Sequence, residues 1–167
     1  MPGHCRCVAC LAVALADAAA ANGLTVDRDR VAAGALLHDI GRSITQDVRH
    51  ASLGADLLRT EGWDPAVVRI VATHTGGGID AAEAAALGLP VQDYTPRTLE
   101  ERIVCHADNL YSGERRLSLR QIEEKYQAKQ LPTAWTKIRA LHDSLTQELA
   151  VDLERLAPVS LDLAGMD

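Results

Sequence analysis

Apolar residues recur along this chain at intervals of three and four residues, the spacing that places them on one face of an α-helix. The first segment shows it with Val8, Leu11 and Leu15, and the segment after Pro132 repeats it as far as Leu156. Strict alternation of apolar and polar residues, which is typical of a half-buried strand, is not sustained anywhere. Aromatic residues make up 3% of the chain and Phe is absent, whereas Ala and Leu are frequent. The sequence therefore predicts an all-α protein of six or seven helices.

The 167 residues contain no repeat, charge block or long Gly/Ser linker that would mark a domain boundary. We predict one compact domain over residues 1–167, with a core over about 1–112 and C-terminal scaffold helices over about 118–157. Four glycines and two prolines interrupt helical periodicity within about 75–97, which predicts an inserted loop. This loop is either a lid that closes over a substrate or a static segment beside the core.

Two further helix boundaries carry local signals. Asp27 is expected to cap a helix that runs to about Ile40 and ends at Gly41. Thr98 precedes Glu101 by three residues, the spacing of a capping box at the start of another helix.

Charge and cysteine usage indicate the surroundings of the protein. The net charge of −6 weighs against broad nucleic-acid binding and against an anionic membrane surface, since either requires a basic face. The apolar stretch Val8–Ala21 is interrupted by Asp17, has no secretory features and is expected to be too short and polar to span a bilayer. Three of the four thiols lie too close together on one helix to converge on a metal. We therefore predict free thiols and a cytoplasmic location. The four cysteines are Cys5, Cys7, Cys10 and Cys105.

Several histidines and aspartates occupy positions on the apolar faces of the predicted helices. Burying one such group without a partner costs several kcal/mol. Burying six is reasonable if they satisfy one another through metal ions, and imidazole and carboxylate together suit Fe, Mn, Zn, Co or Ni. The candidate ligands are His4, His38, Asp39, His50, His74 and Asp108.

Residues 36–41, Leu-Leu-His-Asp-Ile-Gly, resemble the signature of the HD superfamily of metal-dependent phosphohydrolases. A histidine one helix earlier, His4, and an aspartate in an Ala-Asp-Asn-Leu context, Asp108, agree with that superfamily's order of ligands. The resemblance extends from His4 to about Leu156. It implies a compact helical HD fold in which His4, His38, Asp39 and Asp108 bind one metal ion.

Further features resemble particular branches of the superfamily. His50 and His74 match the two histidines of the subgroup that binds a second metal ion, with Asp39 as the bridging ligand. A mostly archaeal family of small HDIG-type proteins shares the glycine-rich stretch at 76–78 and the Leu-Gly-Leu-Pro turn at 87–90. The HD-type hydrolases that split diadenosine tetraphosphate are a more distant likeness.

The resemblance implies hydrolysis of a small phosphorylated substrate, either a phosphomonoester or a nucleotide-like phosphoester or anhydride. A metal-activated hydroxide is the expected nucleophile, positioned by Asp39 as the bridging ligand of two divalent ions. Arg42 follows Asp39 by three residues and is the main candidate for contacting the phosphate. Arg97, Arg115 and Arg116 are weaker candidates on neighbouring loops.

Two alternatives remain open: a di-iron HD-type oxygenase on the same six ligands, and a non-catalytic, metal-stabilised ligand-sensing module. The identity of the substrate, the metal and any homo-oligomer is also left open. His4 lies in the first turn of its helix, where helices fray. Either the native chain begins upstream of Met1, or metal binding pins this end. His106 is expected beside the site or at the surface, and His142 in the scaffold.

Overall fold

The computed structural model describes residues 2–161, and within them the all-α prediction is confirmed. The predicted domain boundary at residue 167 lies outside the described residues. The question whether the native chain begins upstream of Met1 lies outside them as well. Eight α-helices are described rather than six or seven, because the inserted loop contains a short helix of its own. The elements are α1 (Pro2–Ala21), α2 (Arg28–Leu37), a 3-10 helix (Ile40–Ser43), α3 (His50–Thr60), α4 (Pro65–Thr73), α5 (Ala81–Ala86), α6 (Leu99–Asn109), β1 (Tyr111–Ser112), β2 (Arg115–Arg116), α7 (Leu119–Ala128) and α8 (Pro132–Leu149).

Helix α1 is the centre of the main hydrophobic core. Its Leu11 and Leu15 are fully buried and pack in one cluster with Ile103 of α6 and Leu145 of α8. By length and composition the segment Gly3–Ala21 passes the test for a membrane-spanning helix, contrary to the expectation from its sequence. In this fold its apolar residues are covered by other helices, as expected for the core helix of a globular domain.

A smaller apolar cluster joins α3 and α4 to the inserted loop. Leu58 and Val71 pack there against Leu89 and Tyr94 of the loop. The loop is closed by a backbone hydrogen bond from the Tyr94 N–H to the Ile79 carbonyl. The loop is therefore packed against α3 and α4, and its movement as a lid stays a prediction.

Helix α2 ends at Leu37, three residues before the predicted end, so that the His38–Asp39 pair lies in a turn before the 3-10 helix. The 3-10 helix approaches α3 very closely. A Cβ atom on Gly41 would lie 1.9 Å from the carbonyl oxygen of His50, and only glycine allows this contact. The signature glycine therefore brings the start of α3 beside the His-Asp turn.

The start of α6 departs from the capping box predicted from Thr98 and Glu101. The Thr98 hydroxyl accepts a hydrogen bond from the Glu101 backbone N–H, as expected. The Glu101 carboxylate, however, accepts one from the Arg97 N–H instead of the Thr98 N–H. This carboxylate is buried and also lies near Arg69, so tertiary contacts determine its orientation.

Candidate metal centre

The structure brings all six predicted ligands together, although they come from five separate parts of the chain. They form three groups whose ligand atoms lie within 4.8 Å of one another. His4 lies near the start of α1, His50 begins α3, His74 directly follows α4, and Asp108 lies in the last turn of α6. The three groups are His4 with His38 and Asp39, His38 with His74 and Asp108, and Asp39 with His50 and His74.

The carboxylate of Asp39 lies between two pairs of histidines. Its Oδ2 atom is 3.9 Å from Nε2 of His4 and 3.7 Å from Nε2 of His38. Its Oδ1 atom is 3.2 Å from Nε2 of His50 and 3.8 Å from Nε2 of His74. One carboxylate thus presents a separate oxygen to each pair, the arrangement that a bridging ligand requires.

Asp108 completes only one of these two groups. Its Oδ1 atom lies 3.0 Å from Nε2 of His4 and 3.4 Å from Nε2 of His38. Three side chains and one oxygen of Asp39 therefore surround the first position. The second position is surrounded by His50, His74 and the other Asp39 oxygen.

Each ligand histidine is oriented by a hydrogen bond from its Nδ1 atom to a backbone carbonyl. Three of them use the carbonyl three residues earlier in their own segment, and His4 uses the β1–β2 turn. An Nδ1–H that donates to a carbonyl leaves the Nε2 lone pair to face the site. The pairs are His4 with Gly113 (2.8 Å), His38 with Ala35 (2.7 Å), His50 with Asp47 (2.7 Å) and His74 with Val71 (2.7 Å).

The imidazoles meet through these same Nε2 atoms. Those of His50 and His74 are 3.0 Å apart, and those of His4 and His38 are 3.2 Å apart. Two lone pairs at this distance repel each other unless a proton or a metal ion is shared. The donor set, four imidazoles and two carboxylates, suits a divalent transition metal. The residues present therefore fit a metal centre.

The charges of the site reinforce one another. A hydrogen bond with Asp108 raises the pKa of His4. Burial opposes ionisation of Asp39, but its contacts with His50, the other histidines and Arg42 hold its pKa well below the usual range. Burial lowers the pKa of His74 to about 3, so this imidazole is neutral and free to coordinate. The two carboxylates of the site are therefore negatively charged, and the side chains around them are the basic imidazoles and the guanidinium of Arg42.

The centre opens onto a cavity of about 490 Å³, large enough for a ligand of nucleotide size. Five of the six ligands line it, whereas His38 is fully buried behind them. Arg42 also lines the cavity. Its Nε–H donates to Asp39 Oδ1 at 2.7 Å and its Nη1–H to the Gln46 carbonyl at 3.2 Å.

The other predicted arginines do not line this cavity. Arg97 is exposed and paired with Asp93. Arg116 donates to the carbonyls of Leu153 and Leu156 and so holds the chain after α8 in place. Arg115 lies in β2 and does not line the cavity. Loop position in the sequence did not predict which guanidinium groups face the centre.

Some lining residues were not predicted from sequence. Gly113 orients His4 through its carbonyl, with a φ of 60° in the turn of the β1–β2 hairpin. A Ser-Gly pair is a turn signal that could have indicated this hairpin. The hydroxyl of Thr75 is buried without a partner in the described part of the chain and lines the cavity. The cavity is also lined by Lys125 and Tyr126 of α7 and by Lys129, which directly follows this helix.

The model of the HD domain family matches residues 3–113, which include all six ligands. The chain belongs to the HD domain family. This HD protein is 49% identical over 134 residues to a tRNA (cytidine(56)-2'-O)-methyltransferase of Picrophilus torridus, covering 80% of the chain but 39% of that relative. It is 45% identical over 124 residues to an uncharacterized protein of Methanocaldococcus jannaschii, covering 74% of the chain and 73% of the relative.

A solved structure agrees with the fold assignment. The HD domain of the Listeria monocytogenes phosphodiesterase PgpH is similar with a TM-score of 0.51 over 90% of this chain and 93% of that one. At 20% sequence identity this likeness concerns the fold alone. The predicted HD-superfamily membership is thus confirmed, and the relatives named above are archaeal, as the resemblance implied.

Proposed function

We propose that this HD protein is a phosphohydrolase that uses two divalent transition-metal ions. Its substrate would be a phosphomonoester or a nucleotide-like phosphoester or anhydride. The observation that carries the proposal is the carboxylate of Asp39, whose two oxygens face two different pairs of histidines. A single metal would leave one of these pairs without a cation.

Bound divalent ions would lower the pKa of a water molecule and neutralise the charge of phosphate oxygens. The chain's own contribution is to hold the donors in place before the substrate arrives. The four Nδ1 hydrogen bonds to backbone carbonyls fix each imidazole, so little reorganisation is needed on binding. His38 lies behind the cavity floor and is shielded from solvent.

Arg42 supplies a positive charge that is part of the chain itself. Two of its N–H groups hold Asp39 and the Gln46 carbonyl. A guanidinium has five N–H donors, and the remaining three can contact a phosphate in the cavity. We propose that Arg42 both orients the carboxylate of Asp39 and binds the phosphate.

The name of the Picrophilus relative suggests an RNA-linked role, but this chain spans only about two fifths of that protein. The matched part contains the HD ligands, which suit phosphoryl transfer rather than methyl transfer. We propose a small phosphorylated substrate, without broad nucleic-acid or membrane binding, and a cytoplasmic location. The support for a small substrate is the net charge of −6 and the limited volume of the cavity, about 490 Å³.

The test is metal analysis of the purified protein, combined with phosphate release from a panel of phosphomonoesters, nucleotides and dinucleoside polyphosphates. The variant Asp39→Ala is expected to lose activity, whereas the exposed Asp56→Ala is expected to retain it. Activity that survives Asp39→Ala would end the proposal. If a compound of the panel is consumed only in the presence of O₂ and no phosphate is released, the oxygenase is favoured. Metal binding without any turnover would favour the ligand-sensing module.

A further inference from the structure

Helix α7 contributes a second set of polar side chains to the metal-centre cavity. Lys125 and Tyr126 of α7, and Lys129 directly after its end, line the same 490 Å³ space as the metal ligands, although α7 carries no metal ligand. The chain has only three lysines, so two of them are placed in this one cavity. A single phosphate at the metal ions would occupy a small part of such a volume.

These two lysines lack acidic partners of the kind that the third lysine, Lys137, has. Within residues 2–161, no ion pair involves Lys125 or Lys129, whereas Lys137 pairs with Asp80 and Glu83. They are separated by four residues and therefore lie on the same helical face. Two like charges at this spacing repel each other. A bound anion would relieve this repulsion.

Lys125 is also partly withdrawn from water. Its side chain is half-buried, and burial together with Lys129 lowers its pKa. Its ammonium nitrogen lies 5.9 Å from the centroid of the Tyr126 ring. A half-buried ammonium group interacts more strongly with an anion than a fully solvated one does.

Hydrogen bonds hold this face of α7 at a fixed position relative to the ligands. The Tyr126 hydroxyl donates to Asn109 Oδ1 at 3.3 Å. The amide of Asn109, the residue after the ligand Asp108, donates to the Cys105 carbonyl at 2.8 Å and to the Gly76 carbonyl. Gly76 is two residues after the ligand His74. The lysines are thus tied to the elements that carry two of the metal ligands.

We propose that Lys125 and Lys129 form a second anion-binding subsite, which holds a distal phosphate while the phosphate to be cleaved lies at the metal centre. The substrate is then a small molecule with at least two phosphate groups. This inference rests on the proposed function and specifies its substrate class. A small molecule is favoured over an RNA chain because the net charge of −6 provides no extended basic path.

The test compares substrates that differ by one phosphate. Phosphate release from adenosine 5'-monophosphate, adenosine diphosphate and adenosine 3',5'-bisphosphate is measured with Mn²⁺-loaded protein. The wild-type kcat/KM is expected to be about 10–100-fold higher for a two-phosphate compound, the range of one or two charge-assisted hydrogen bonds. The double variant Lys125→Gln/Lys129→Gln is expected to lose this preference, its kcat/KM on the two-phosphate compounds falling to that on the monophosphate.

Arg120→Gln is the matched control, because it removes one positive charge from the same helix. Arg120 pairs with Glu124 and does not line the cavity. The Arg120→Gln variant is therefore expected to prefer two-phosphate compounds as strongly as the wild type does. If the double variant does not fold, Lys129→Gln alone tests the exposed member of the pair. The inference is overturned if the wild type shows no preference, or if the preference survives the lysine substitutions.

Calorimetry separates this inference from the proposed function. If no compound is hydrolysed, the proposed function fails. Binding of adenosine 3',5'-bisphosphate to the wild type, reduced about 10-fold or more in the double variant, would still support the subsite. Equal binding to both proteins would reject it. The protein could instead bind a single-stranded oligoribonucleotide through these lysines and none of the small compounds. That result would overturn the small-molecule proposal and identify RNA as the ligand class.

Discussion

Histidine side chains contact each other in two parts of this molecule, and only one part is built as a metal centre. His106 and His142 lie 3.2 Å apart through Nε2 and Nδ1, much like the ligand pair His50 and His74 at 3.0 Å. Ring centroids are 5.0 Å apart in both pairs. Contact between imidazoles is therefore not what distinguishes a candidate ligand from a core residue.

The difference lies in what surrounds the rings. Every ligand histidine donates through Nδ1 to a backbone carbonyl, whereas Nδ1 of His106 is buried with no partner among the described residues. In that part of the chain no ion pair joins His106 or His142 to a carboxylate, and neither lines the cavity of the centre. A carboxylate, a fixed tautomer and access to a cavity together identify the metal centre. Sequence placed His106 beside the site or at the surface; it is instead fully buried.

The largest expected difference between the two pairs follows from replacing one histidine in each of them. His74→Gln is expected to reduce metal content from two ions to one, and activity by about 100-fold or more, since it removes a direct ligand. His142→Gln, which disrupts the other pair, is expected to leave metal content at two. Elemental analysis and phosphate release measure both effects. Two ions in His74→Gln would contradict the dinuclear assignment.

Removal of metal should distinguish the two parts by stability. Chelation is expected to lower the Tm by about 5–10 °C, because a ligand at roughly 100 times its Kd stabilises the folded state by about 2.7 kcal/mol. The same loss is expected in His142→Gln and a smaller one in His74→Gln, which keeps one of the two ions. Differential scanning calorimetry with and without chelator measures it. Equal losses in the two variants would show that His74 is not a ligand.

In the metal-free protein, His4 of the centre should respond to pH with a sign opposite to that of the His106–His142 pair. Burial lowers the pKa of His106 to about 3 and also lowers that of His142, so their stabilisation is present above about pH 6.5 and is lost as the pH falls. The hydrogen bond with Asp108 raises the pKa of His4. Its stabilisation is therefore present below about pH 6.5 and is lost as the pH rises through the raised value.

Urea unfolding at pH 5 to 7 measures these opposite contributions. His106→Gln/His142→Gln should lose less unfolding free energy on acidification than the wild type, by up to about 1.4 kcal/mol per pH unit for each proton. His4→Gln should lose more than the wild type. A change of slope in the same direction for both variants would contradict the assigned surroundings.

The smallest expected effect concerns the backbone support that the ligand histidines have and His106 lacks. Gly113→Ala places a side chain at a φ of 60°, which costs about 1 kcal/mol of stability. Because the Gly113 carbonyl orients His4, metal affinity should fall slightly as well. Gly23→Ala, also at positive φ but far from any ligand contact, is the control. A Gly113→Ala protein with unchanged stability and metal affinity would argue against this role of the turn.

Local signals predicted much of the fold. Asp27 accepts a hydrogen bond from the Arg30 N–H and caps α2, and Thr98 accepts one from the Glu101 N–H at the start of α6. Such bonds join residues three apart, so the sequence contains both partners. The ligands were found because the order of the HD signature resembles a family, although most of them are distant along the chain.

Long-range contacts could not be predicted in the same way. The orientation of Glu101 depends on Arg97 and on Arg69 of another helix, which a three-residue pattern does not include. The sequence favoured arginines near the ligand-bearing helices, but Arg116 donates its hydrogen bonds to carbonyls of the chain after α8. The cations that line the cavity besides Arg42 are Lys125 and Lys129. Which cations face a site depends on how helices pack, not on loop position.

The helical class, several helix starts and the six candidate ligands could be predicted from the order of residues, because periodicity, caps and the HD signature are patterns along the chain. That the two oxygens of Asp39 face separate histidine pairs, and that Gly41 lets α3 approach closely enough for this, is visible only in three dimensions. Only the tertiary structure separated His106 from the ligand histidines and placed two lysines in the cavity. These are distances between remote segments, set by packing in three dimensions.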